Sequence, residues 1–150
     1  MKALIIGGGG FVGPYLAKHL TEDLGYTVTV TKTEKETLNL DGVGIANLNI
    51  LDKEQIKELL VNEEPDYVFH LAAQSSVAYS WKNPSLTIDV NVKGCANLLD
   101  VLRELEKKPR VLLIGSGEEY GHIKSSECPS VEDNTVRPGN IYAATKACQN

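Results

Sequence analysis

The chain has 150 residues, enough for one hydrophobic core and hardly enough for two. Hydrophobic residues make up 42% and charged ones 23%, as in ordinary soluble globular proteins, and 15 basic against 20 acidic residues leave a net charge of -5. That balance argues against a phosphate-backbone binder, so no nucleic-acid partner is expected, although one local anion site is allowed.

Residues 3–6 read as a first, buried strand. Four glycines interrupt this apolar run too early for an export signal or a membrane span, so no membrane association is expected. Over residues 11–24, Val12, Leu16, Leu20 and Leu24 recur at helical spacing, Pro14 falls in the first turn, and Gly25 is a stop. Residues 26–31 alternate in β-branched fashion as strand two, residues 33–44 read as a polar loop, and residues 45–50 as strand three. Asp52 is an N-cap with Gln55 three residues on, and opens a helix to about Val61.

Residues 66–71 predict a fourth strand buried on both faces. A long helix follows Pro84, placing Ile88, Val92, Cys95, Leu98, Leu99, Leu102 and Leu105 against the core. Pro109 marks its end, and residues 110–114 form strand five. Residues 122–138 form a loop, and a last helix begins near Asn140 and runs about three turns, to Asn150. Cys95, Cys128 and Cys148 form no Cys-x-x-Cys pair, and the three histidines lack metal-ligand spacing. Reduced thiols in a cytoplasmic protein, with no metal site, are expected.

Strands alternating with helices imply an α/β fold: a Rossmann-type doubly wound parallel sheet in three αβα layers. Five strands are present and no segment supplies a sixth, so the sequence reads as truncated after five strands, inside its last helix. Gly7 to Gly13 reads Gly-Gly-Gly-Gly-Phe-Val-Gly between the first strand and the first helix. Both Gly8-x-Gly10-x-x-Gly13 and Gly7-x-x-Gly10-x-x-Gly13 fit a dinucleotide-binding turn. One glycine permits the turn, one admits the pyrophosphate, and one lets helix pack on strand. An acid near the end of strand two would bind the adenosine ribose of NAD, and a base would suit the 2′-phosphate of NADP. Lys32 stands there, with Glu34 and Glu36 beyond. It either favours NADP or is a solvated loop charge.

Tyr142 and Lys146 are four apart at the start of the last helix and so share one side. A tyrosine passes a proton to or from a carbonyl or alcohol oxygen when a neighbouring ammonium lowers its pKa. Ser116, after strand five, is positioned to hydrogen-bond the same oxygen. Glu118 either acts as a base or faces solvent, Glu119 is structural, and His70 packs at a strand end.

The residues that carry a resemblance are Gly7-x-x-Gly10-Phe11-Val12-Gly13, His70-Leu71-Ala72-Ala73-Gln74-Ser75, Asn91-Val92-x-Gly94, Ser116-x-x-x-Tyr120-Gly121 and Tyr142-x-x-x-Lys146. In this order they resemble the extended short-chain dehydrogenase/reductases that act on nucleotide sugars. Ile114 to Gly121 is most similar to GDP-6-deoxy-4-keto-mannose reductases, with GDP-mannose 4,6-dehydratases next. The resemblance implies an NADP- or NAD-dependent enzyme that transfers hydride at C4 of a nucleotide sugar. A 4,6-dehydratase or a 4-epimerase is the alternative reaction, and a dinucleotide-binding module without turnover the alternative of another class.

It further implies that Ser116, Tyr142 and Lys146 are catalytic, with Glu118 beside them. Leu71, Ala72, Ala73, Gln74 and Ser75 would line the cofactor, and Asn49 and Ile50 would sit by the adenine. Gly117 stands where many 4,6-dehydratases carry an acid, which weakens the dehydratase reading. Residues 1–150 would then be the NAD(P)-binding domain of a longer protein, homodimeric when whole, whose C-terminal substrate-binding part is absent. The chain alone would bind cofactor without turnover.

Overall fold

The computed structural model describes residues 1–149. Asn150, the expected end of the last helix, lies outside them. Five strands, β1 (Lys2–Ile6), β2 (Thr27–Lys32), β3 (Gly44–Asn47), β4 (Tyr67–His70) and β5 (Arg110–Leu113), pair in the order β3-β2-β1-β4-β5. All four pairings are parallel. The order reverses at β1: β2 and β3 lie to one side of it, β4 and β5 to the other. This is the doubly wound Rossmann arrangement expected from the alternating pattern.

Because successive strand residues face opposite ways, β1 feeds two cores. Leu4 and Ile6 pack with Ile56 and Leu60 of α2 (Lys53–Glu63) and with Leu98, Val101 and Leu102 of α5 (Gly94–Glu104). Ala3 and Ile5 pack on the other face with Ala17 of α1 (Val12–Lys18), Leu20, and Val28 and Val30 of β2. α1 continues through a wider π-type turn at His19–Asp23, so the helical span expected to Leu24 is present but not uniformly α.

Local signals set several boundaries. Asp52 caps α2 by accepting from the Glu54 and Gln55 backbone N–H groups, both at 3.1 Å, and Gln55 Nε2 donates back to Asp52 Oδ2 at 2.9 Å. Asn140 caps α6 (Ile141–Ala147) by accepting from Ala143 N at 2.8 Å.

Four expectations need correction. A helix the sequence pattern missed, α3 (Val77–Lys82), starts behind an N-cap at Ser76, which accepts from Tyr79 N. The segment after Pro84 is composite: α4 (Pro84–Ile88), a π-type turn at Asp89–Lys93, then α5, which ends at Glu104 rather than near Pro109. Within it Ile88 and Leu99 are exposed, because the buried positions go to Thr87, Asn91, Leu98 and Val101. Polar Thr87 and Asn91 tolerate burial because they are hydrogen-bonded.

β4 is buried on one face only. Val68 and His70 are enclosed, whereas Tyr67 and Phe69, on the α1 side of the sheet, are half-buried. No helix among the described residues is long and apolar enough to cross a membrane.

Candidate functional site

The carboxyl ends of the strands surround a cleft of about 480 Å³, at the point where the strand order reverses. Open α/β sheets hold their ligands there, and the volume is in the range of small-molecule sites. The structure brings fourteen of the expected residues to its lining: Gly7, Gly10, Phe11, Val12 and Gly13 from the glycine loop; Lys32, Asn49 and Ile50 from the β2–β3 side; Leu71, Ala72, Ala73 and Ser75 after β4; and Tyr142 and Lys146 from α6.

Gly7 and Gly8 are both crowded, a Cβ on Gly8 running into Val30 Cγ1, but Gly7 alone of the four loop glycines has positive φ. Gly7 has φ +78°, and a Cβ there would run into Ala72 Cα. A Cβ on Gly13 would overlap the Gly8 carbonyl oxygen. Gly10 differs: its nearest neighbour would be 3.7 Å away, so no protein atom demands a glycine there, and the space a side chain would fill is the cleft. The loop is tied to the sheet where Gly7 N donates to Thr31 Oγ1 of β2 at 2.9 Å. This backbone cradle fits the pyrophosphate of a dinucleotide.

The other wall is made of side chains. Lys146, only 4% exposed, donates through Nζ to the Ile114 carbonyl at 2.8 Å and to Gln149 Oε1 at 3.1 Å. Burial lowers its pKa, opposed by the nearby Cys95 and Glu119. The lysine thus shares the cleft with Tyr142, but its ammonium is directed to the β5 end and not hydrogen-bonded to the tyrosine hydroxyl.

Ser116 and Glu118 lie beside the cleft without lining it. Ser116 caps the 3-10 turn Gly117–Tyr120, accepting from Glu118 N at 3.3 Å, and Glu118 Oε2 accepts from Asn140 Nδ2 at 2.9 Å. Glu119 is buried and closes the same capping box from Oε1, at 2.6 Å from Ser116 N.

Gln74 departs from expectation. It does not line the cleft; its amide bridges Ser76 and Thr87, and its backbone N donates to Asn91 Oδ1 at 2.7 Å. Asn91 is the positioning residue the sequence reading did not single out for this role. Fully buried, it also donates through Nδ2 to the Gln74 carbonyl at 3.0 Å and to Thr145 Oγ1 at 2.9 Å. It thereby fixes the loop after β4 against α6, the two elements that carry Ala72 and Tyr142. An Asn amid an otherwise apolar helical stripe was the available signal. Thr31, Thr33, Glu36, Leu48, Val90 and Ile114 also line the cleft without having been assigned there.

His70 sits at the end of β4, and both its ring nitrogens are buried without a hydrogen-bond partner among the described residues. Burial, reinforced by Lys146, pushes its pKa down to about 4, so the ring is neutral. No group of His, Cys, Asp and Glu among the described residues could hold a metal ion.

Fold, cleft and motif order together define an extended short-chain dehydrogenase/reductase. The sequence model of the GDP-mannose 4,6 dehydratase family matches residues 4–150, and the chain belongs to that family. It is 31% identical over 97% of its length to Protein CapI of Staphylococcus aureus, and 30% identical over the same share to UDP-glucuronate 4-epimerase 4 of Arabidopsis thaliana. It covers 46% of the first and 36% of the second, so the chain spans less than half the length of these curated relatives. Among solved structures it superposes on the UDP-glucose 4-epimerase of Thermus thermophilus in complex with NAD (TM-score 0.89, 31% identity, 99% of this chain and 47% of that one). The UDP-glucose 4-epimerase of Brucella ovis, also in complex with NAD, gives a TM-score of 0.90 at 28% identity, over 99% of this chain and 45% of that one.

Proposed function

We propose that residues 1–150 are the dinucleotide-holding domain of a longer nucleotide-sugar oxidoreductase acting at C4 of the hexose. The observation that carries this is the cleft that joins the Gly7, Gly10 and Gly13 cradle to Tyr142 and Lys146. The bound dinucleotide would supply the hydride chemistry: in its reduced form it would give a hydride to a C4 ketone, and for 4-epimerisation its oxidised form would take a hydride from C4 and return it. Tyr142 exchanges a proton with the sugar oxygen, Ser116 orients that oxygen, and Lys146 would hold the nicotinamide ribose. Glu118 stands by as a second proton carrier. The substrate pocket belongs to the part of the protein beyond this chain.

The particular reaction we favour is reduction of a GDP-4-keto-6-deoxymannose, on the pattern of residues 114–121. Gly117 has no side chain to protonate a departing 6-hydroxyl, which disfavours 4,6-dehydration. The second reading is 4-epimerisation, supported by the 4-epimerases among the similar proteins. The free thiols of Cys95, Cys128 and Cys148 support a cytoplasmic setting, and exposed Trp81, Ile88 and Leu99 on α3–α5 support a homodimer through those helices.

Turnover assays test this on the 150-residue chain and on the full-length protein. The chain is expected to bind dinucleotide without turnover, and the full-length protein to turn over. There Tyr142→Phe should lower kcat about 100-fold or more with dinucleotide affinity retained. Net consumption of reduced cofactor marks the reductase, and none marks the epimerase. An unimpaired Tyr142→Phe enzyme contradicts the catalytic assignment.

A further inference from the structure

Just past α6 the chain turns a neutral amide back onto the lysine of that helix. We propose that Gln149 is a positioning residue: its side-chain amide links the Lys146 ammonium to the Asn91 carbonyl and holds it so that one N–H, with its charge intact, remains for the nicotinamide ribose. The proposal rests on the dinucleotide reading above and adds to it a residue that lies beyond the Tyr142-x-x-x-Lys146 pair.

Lys146 stands in the last turn of α6, and Gln149 follows just past the helix end, where its backbone N donates to the Lys146 carbonyl at 2.9 Å. That turn returns the side chain to the lysine. Gln149 Oε1 accepts from Lys146 Nζ at 3.1 Å, and Gln149 Nε2 donates to the Asn91 carbonyl at 2.9 Å. Asn91 is fully buried in the π-type turn Asp89–Lys93. The other acceptor of the ammonium is the Ile114 carbonyl at 2.8 Å, next to the end of β5. The lysine is thereby tied to three places: the end of its own helix, the end of β5 and, through the amide, the π-type turn.

An amide serves both ends of this link. An ammonium has only donors and needs acceptors, whereas the Asn91 carbonyl needs a donor. The flipped amide would set N–H against N–H and oxygen against oxygen, so the two partners fix its orientation. A carboxylate of the same shape would meet the lysine but turn an oxygen on the Asn91 carbonyl, and an apolar side chain would meet neither. Both acceptors on Lys146 are uncharged, so among the described residues the ammonium is held without an ion pair. They take two of its three N–H groups, and Lys146 lines the cleft, which leaves one for a ligand there. The ionisable groups around the lysine are Tyr142 on its own helix and Cys95, Glu119 and His70 on others. Burial works against the charge, so each neutral acceptor helps to keep it.

The test follows the Lys146 titration in the ligand-free chain by NMR of labelled lysine Cε and Nζ, with Lys146→Met to assign the signal, beside calorimetric titration with NAD. Wild type, Gln149→Glu and Gln149→Leu are compared, with melting curves to confirm that each folds. Gln149→Glu keeps the shape of the side chain and carries the test if Gln149→Leu does not fold. Lys146 is expected to titrate below the ordinary 10.5 in wild type, about one pH unit higher in Gln149→Glu, and about half a unit or more lower in Gln149→Leu. NAD should bind roughly fivefold or more weakly to both variants. A side chain that merely fills space predicts the same Lys146 titration in wild type and Gln149→Glu, and that result overturns the proposal. NAD affinity unchanged in the variants overturns the role toward the ribose while leaving dinucleotide binding intact. No binding of NAD by the wild type overturns the underlying reading and this inference with it.

Discussion

On the β1 side the wall of the cleft is backbone, whose shape is dictated by what cannot fit: Cβ atoms at Gly7 and Gly13 would run into Ala72 and the Gly8 carbonyl. On the α6 side the wall is side chain, and the polar groups there already have partners: Lys146 the Ile114 carbonyl, Ser116 the Glu118 backbone, Glu118 the Asn140 amide. A ligand can enter the first wall without displacing a hydrogen bond. At the second, Lys146, Ser116 and Glu118 each already hold a partner, so a ligand meets side chains partly committed to the fold. The cradle is therefore preformed backbone, whereas the proton-handling groups are side chains that also serve the fold.

The contrast between glycines gives the largest expected effects. Gly13→Ala drives a Cβ into backbone and should destabilise the domain by roughly 4 kcal/mol, lowering Tm by about 10 °C. Gly10→Ala should melt within about 2 °C of wild type yet weaken dinucleotide binding about tenfold, because its methyl enters only the cleft. Equal melting of the two variants would break the distinction between a glycine required by the fold and one required by the ligand.

Next comes the link between the walls. Asn91→Leu removes three hydrogen bonds and strands the Gln74 backbone N–H and carbonyl, while Thr145 Oγ1 keeps the Tyr142 carbonyl. A loss of roughly 3 kcal/mol in urea unfolding is expected, with hydrogen exchange rising in both the loop after β4 and α6. Exchange rising in only one of them would show that the walls are not coupled through this residue.

His70 gives a pH signature. Its pKa of about 4 in the fold lies below the ordinary 6.5, so between these values the unfolded chain binds the proton that the folded one refuses. This contribution to stability is fully present above about pH 6.5 and falls away as pH drops toward 4, by about 3 kcal/mol in all. In His70→Leu that part of the slope should vanish, with no loss of stability at neutral pH, since two unpaired nitrogens leave the interior. A slope unchanged in the variant contradicts a buried neutral imidazole.

The smallest effect is at Ser116. Its hydroxyl caps a short turn, so Ser116→Ala should cost about 1 kcal/mol in chemical denaturation of the chain. No change at all would mean that the hydroxyl is not committed to the cap and is free for a substrate.

What was legible in the sequence was local. The parallel strands, the cap at Asp52, the start of the last helix near Asn140 and the glycine loop each rest on residues within a few positions of one another. The glycine register was not legible, because four identical residues differ only in their backbone angles and in what lies against them. Ile88 and Leu99 were misplaced because hydropathy reads Thr87 and Asn91 as exposed, while tertiary hydrogen bonds bury them. α3 was missed because six residues are too few for a helical period to show.

Whether the backbone cradle is a dinucleotide site is tested most directly by an amide-resolved NMR titration of the chain with NAD. Saturable shifts are predicted at Gly10, Val12, Ala72, Ala73 and Asn49, with the α2–α5 face unchanged. No saturable shift up to about 5 mM NAD, or shifts centred away from the cleft, would contradict it.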